Sequence, residues 1–179
     1  MGQGYKAIIL APEQADEKEI IRTWVDPHEH DNGYKLMEHS YIANEFVQAV
    51  EYLLSPKGMF YKSRVVWAGD YADTEAGLKM NLNQITDEET NEGKRTPRSI
   101  RDMSAYTYIV NHTLKQYTEK KENTYIHPLP LLTAEGNGRG GGDYRDTNQD
   151  LVGTWARHII SVEEEIPPRY TELVCCWAE

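Results

Sequence analysis

Apolar residues in this chain come in short runs set between longer polar stretches, and one segment repeats them with helical spacing. Ile42, Phe46, Val47, Val50, Leu53 and Leu54 fall on one helical face, which predicts a helix capped by Ser40 and stopped by Pro56 and Gly58. The other runs read as strands. Tyr5–Leu10 and Ile20–Val25, with the polar turn Pro12 to Glu19 between them, predict a hairpin with a long loop. Arg64–Ala68 predicts a buried strand closed by Gly69. From Ala105 to Thr118 the pattern alternates, placing Tyr106, Tyr108, Val110, His112 and Leu114 on one face of a long strand. Leu151–Val162 and Thr171–Trp177 predict two more strands, joined by a turn at Pro167-Pro168. The sum is an α+β fold, a mostly antiparallel sheet of about six strands with one main helix packed on it. Residues 74–102 are polar, with one short helix expected around Leu78–Ile85, and read as a mobile segment within a single domain spanning 1–179.

Composition narrows the function classes. The 179 residues are 39% hydrophobic, enough for one domain with a real core. A formal net charge of −10 leaves no basic surface for general nucleic-acid binding. No apolar stretch approaches the ~20 residues that span a bilayer. The amino terminus does not read as a secretory signal, and Lys6 stands where a myristoylation motif wants Ser or Thr. Cys175 and Cys176 are adjacent, a spacing that strains a bridge between them and fits a reduced, cytoplasmic setting.

The most distinctive local chemistry is the glycine-rich run from Gly136 to Gly142. Gly136, Gly138 and Gly141 spell G-x-G-x-x-G, but the strand-like segment after the run leaves no helix to hold a pyrophosphate, so the dinucleotide reading fails. A looser anion cradle survives. Gly138, Gly140 and Gly141 supply main-chain N–H groups, Arg139 and Arg145 supply charge, and Tyr144 and Tyr71 sit beside turns where a ligand can reach them. Glu135, Asp143 and Asp146 oppose this role unless they face away. Apolar residues flank the run on both sides, Leu129, Leu131 and Leu132 before it and Leu151, Val152 and Trp155 after it, so its ends read as pinned.

A second constellation is Asp26-Pro27-His28-Glu29-His30-Asp31, where His28 and His30 offer two imidazoles to one metal and Asp70, just past a buried strand, offers a third ligand. The bland alternative is a solvated turn. Trp24, Trp67 and Trp177 read as core. Nucleophilic catalysis finds little support: no G-x-S-x-G occurs, His112 reads as a satisfied core histidine, and His127 and His158 show no orienting partner.

Several stretches are shared with a known group: Met1-Gly2-Gln3 through Tyr5-Lys6, Lys35 to Tyr41, Val65 to Asp73, and the glycine segment Leu132 to Tyr144. On these the chain resembles small uncharacterised proteins of bacteriophages and gut-bacterial mobile elements. The resemblance implies a phage-type accessory protein, a class whose members often inhibit host defence, acting in the host cytoplasm. Together these readings favour a protein that acts by binding without catalytic residues or a cofactor, capturing a small anionic ligand such as a signalling nucleotide, or a host protein. The alternative is a phosphoesterase-like hydrolase using a divalent metal on His28, His30 and Asp70.

Overall fold

In the computed structural model, which describes residues 3–13, 20–121, 125–137 and 149–175, the apolar runs assemble into one sheet. Its strands are β1 (Tyr5–Leu10), β2 (Ile21–Val25), β3 (Ser63–Gly69), β4 (Tyr108–Asn111), β5 (Gln116–Glu119), β6 (Ala134–Glu135), β7 (Ile159–Glu163) and β8 (Thr171–Glu172). They lie in the order β2-β1-β3-β7-β4-β5-β8, with β6 also paired to β3. All pairs are antiparallel except β3–β6 and β5–β8. The central strand β3 therefore has a divided edge. Its first residues pair with β7 and its last with β6.

Alternation along the central strands gives the sheet two buried faces. On one face Tyr5, Ala7, Ile9, Val65, Trp67, Ile160 and Val162 pack beneath the main helix, α2 (Glu45–Leu54), which contributes Phe46, Val47, Val50 and Leu54. A four-residue shift separates the predicted cap from the real one. Asn44, not Ser40, accepts the N–H groups of Phe46 and Val47, while a short helix α1 (Leu36–His39) ends just before Ser40. On the other face Ile8, Leu10, Ile21, Trp24, Val66 and Ala68 are covered by Leu82 of α3 (Leu82–Ile85). That helix and α4 (Glu89–Glu92) lie within the segment expected to be mobile. The segment is fastened to the β2 edge: Trp24 N–H donates to the Lys94 carbonyl, Thr96 N–H donates to the Trp24 carbonyl, and Arg98 pairs with Asp31 and Glu45. The covering supplies hydrogen-bond partners to an otherwise open strand edge.

Two strand expectations change. The long strand over 105–118 is a hairpin, β4 and β5 joined through 112–115. The Asn111 side-chain oxygen takes the Leu114 N–H and Lys115 adopts φ 53°, so a turn interrupts a pattern that alternates straight through it. The strand expected over 151–162 begins only at Ile159, after a 3-10 turn at Gln149–Leu151 and left-handed residues Gly153 and Arg157. The leucines before the glycine run form a helix, α5 (Pro128–Leu132), with His127 as its cap. Trp24, Trp67 and Trp155 are core; Trp177 lies outside the described residues. Cys175 is buried.

Candidate functional site: a strand-end cleft and a cationic cavity

The sequence-derived candidates that can be placed gather at one end of the sheet, where β1 begins and β3 and β6 end. Asp70 Oδ1 accepts the Gly4 N–H at 2.9 Å. Gln3 Oε1 accepts the Asn137 N–H at 2.8 Å, which fastens the start of the glycine run to the first strand. Gly136 is needed there, because a Cβ would sit 2.6 Å from Gln3 Oε1 and 2.7 Å from the Tyr5 hydroxyl. Tyr34 stands over Gly4 and stacks on His28 with ring centroids 6.3 Å apart. Between them lies a cleft of about 530 Å³ lined by Gln3, Lys6, Tyr34, Glu38, Asp70 and Asn83. Its polar groups serve the fold. Lys6 Nζ donates to Thr86 and Asp87, Glu38 accepts the Lys35 N–H, and Asn83 donates to the Gly4 and Ala68 carbonyls.

His28, His30 and Asp70 do not form a metal centre in this arrangement; among the described residues no group of three His, Cys, Asp or Glu side chains is placed to hold a metal ion. His28 turns toward Tyr34 and Asp70 holds Gly4. His30 is buried against Phe46, with neither ring nitrogen hydrogen-bonded among the described residues, and burial, with Arg98 nearby, lowers its pKa. Tyr71 is exposed at the end of β3. Gly138, Arg139, Gly140, Gly141, Tyr144 and Arg145 lie outside the described residues.

A different cluster emerges at the opposite end of the central strands. Leu10 pairs with Arg64 and Arg64 with Ile159, so the three side chains form one cross-strand row on the face away from α2. The row floors a cavity of about 380 Å³. Arg64 is held rigidly: its Nε–H donates to the Arg157 carbonyl at 3.1 Å and Nη1 donates to the Ala11 carbonyl at 3.1 Å. Nη2 faces the exposed Glu13 carboxylate at 3.9 Å. Around Arg64 stand three further cations, each delivered by a departure from regular backbone. Arg22 is the extra residue of a β-bulge, since Ile9 opposes Thr23 and Leu10 opposes Ile21. Lys62 and Arg157 occupy left-handed backbone, at φ 55° and 67°, a conformation that costs a side-chain-bearing residue of the order of 1 kcal/mol.

Their bonding differs. Arg157 is engaged by Glu75 and Glu135, which raise its pKa. Arg22 lies over the Phe60 ring and Lys62 over Tyr61, and neither has a carboxylate partner among the described residues. His158 completes the wall. Asn111 Oδ1 takes the Leu114 N–H, so its amide nitrogen donates to His158 Nδ1 at 2.9 Å and leaves the proton of the neutral ring on Nε2. Burial, and then Arg64, lower the His158 pKa. Among the described residues, four cations and one carboxylate thus line a single cavity in a chain of net charge −10.

Two polar networks, the first of them buried, also carry no mark in the sequence. Glu51 of α2 receives Nε2–H of His127 and, at 2.9 Å, the Lys120 ammonium. His127 Nδ1 accepts the Leu129 N–H, which fixes the tautomer. Burial works against the Glu51 carboxylate, yet the two groups facing it hold its pKa below the ordinary value, while burial lowers that of His127. With Glu51 and His127 both about 1% exposed, the network ties α2 to α5 and to the end of β5. In the second network the Tyr170 hydroxyl meets His112 Nδ1, His112 Nε2 meets Ser161 Oγ, and Ser161 and Tyr61 both donate to Glu163. Ser161 is fully buried, which removes it as a nucleophile.

In comparisons with protein-family models, curated proteins and solved structures, nothing matches this chain. No helix among the described residues is long and apolar enough to cross a membrane.

Proposed function

We propose that the protein acts by binding a small anionic ligand, held over the Leu10–Arg64–Ile159 row. The supporting observation is Arg64 itself. A half-buried arginine stands on the central strand, oriented by two main-chain oxygens, with Nη2 turned to a cavity whose other cations are Arg22, Lys62 and Arg157. A local excess of one sign of charge in a recess focuses a field on an anion even when the whole molecule is acidic. The polar groups of the strand-end cleft, by contrast, are engaged with one another. Capture of an anionic signalling molecule is the form of host-defence inhibition that this reading allows.

Thermal unfolding with added phosphate, compared with chloride at equal ionic strength, tests it. At a hundredfold excess over Kd the melting temperature should rise by about 5–10 °C. The rise should disappear in Arg64→Met and shrink in Arg22→Ser. An unchanged rise in both variants would place the anion elsewhere and defeat the proposal.

A further inference from the structure

From the donor geometry of the same cavity, and resting on the anion-binding reading above, we infer that the ligand is a small phosphomonoester carried on an apolar body. An arginine selects a carboxylate by offering two parallel N–H groups to its two oxygens. On Arg64 the side-on fork is closed, because Nε–H already donates to the Arg157 carbonyl, and Nη1 is drawn to Ala11. The Arg157 fork is occupied by Glu75 and Glu135. What remains are Arg64 Nη2, the Arg22 guanidinium, the Lys62 ammonium and the His158 Nε2–H. Three cationic side chains and an imidazole N–H around one recess match the double negative charge and three tetrahedral oxygens of a phosphate, whereas a planar monoanion on the Arg22 fork would leave the other cations uncompensated. Glu13, the one carboxylate in the lining among the described residues, faces Nη2 and is the group that a bound phosphate displaces.

The rest of the lining defines the body of the ligand. Leu10 and Ile159 flank Arg64 on the floor, and Pro12 and Met59 stand in the wall. Ile159 and Met59 are left exposed, at 38% and 84%, so an apolar group seated beside the phosphate removes their surface from water. A volume of about 380 Å³ suits a ligand of metabolite size.

Calorimetric titration of the full chain with phenyl phosphate, benzoate and inorganic phosphate separates the elements of this inference. Phenyl phosphate should bind at least about tenfold more tightly than either of the others. Glu13→Gln should tighten that binding, and Arg22→Ser and Lys62→Gly should each weaken it several-fold. Lys62→Gly relaxes a left-handed residue, so its lost affinity will come without a lower melting temperature. Benzoate binding as tightly as phenyl phosphate would overturn the phosphomonoester assignment while leaving an anion site in place. Inorganic phosphate doing so would overturn the apolar body. Affinities unchanged in Arg22→Ser, Lys62→Gly and Glu13→Gln together would overturn both this inference and the reading beneath it.

Discussion

At the scale of single residues, burial sets the protonation of this protein more than pairing does. His39 is fully enclosed, donates Nδ1–H to the Gly33 carbonyl and accepts the Trp67 indole N–H at Nε2, an arrangement that fits only the neutral ring. Burial lowers its pKa from 6.5 to about 4. The unfolded chain therefore binds the proton first, and the stability His39 contributes is complete above pH 6.5 and lost as pH falls through 4. That change is worth about 3 kcal/mol. His30, His112, His127 and His158 shift in the same direction, each first through burial. Urea midpoints measured between pH 7 and pH 4 should drop steeply, and His39→Gln should flatten the slope; an equal slope in the variant would refute the assignment. Glu51 is the opposite kind of residue, an ionised carboxylate that two buried groups need. Its replacement in Glu51→Gln leaves Lys120 without a counter-charge and should cost about 3 kcal/mol or more, read as a lower urea midpoint at pH 7.

At the scale of elements, the sequence is most informative where one apolar face decides the structure. The β1–β2 hairpin, β3 and α2 all follow their apolar spacing. It misleads where side-chain chemistry overrides spacing. Ser40 precedes an apolar stripe and reads as its cap, yet its hydroxyl is buried with no partner among the described residues, and Asn44 makes the cap. Asn44→Ala should therefore cost about 1 kcal/mol, whereas Ser40→Ala should be neutral or stabilising, because it removes an unsatisfied buried hydroxyl. Equilibrium unfolding of the two variants checks this pair, and the reverse order would show the cap misplaced. The hairpin at 112–115 was hidden for a related reason. Lys115 carries no sequence mark of the left-handed turn it forms, and Leu114 continues the alternation through it.

At the scale of the whole molecule, the cavity was illegible because its cations are far apart in sequence and ordinary one at a time. Arg22 and Arg157 fall inside predicted strands, Arg64 opens another, and Lys62 lies between predicted elements. Only the strand order, with β1 and β7 on either side of β3, and the bulge beside Leu10 bring them together. The one local signal was an arginine opening an otherwise apolar strand. Conversely, Gly136 and Asn137 at the start of the glycine run, Asp70 and His28 do approach the same end of the sheet, but their placement there satisfies the fold's own hydrogen bonds and ring packing. The two ends of the sheet thus make opposite claims on an anion, and amide chemical-shift mapping during titration with inorganic phosphate decides between them. Saturable shifts centred on Arg22, Arg64, His158 and Ile159 are the predicted result. Shifts centred instead on Gln3, Gly4, Asp70 and Asn137, or no saturable shifts at all, would contradict the account.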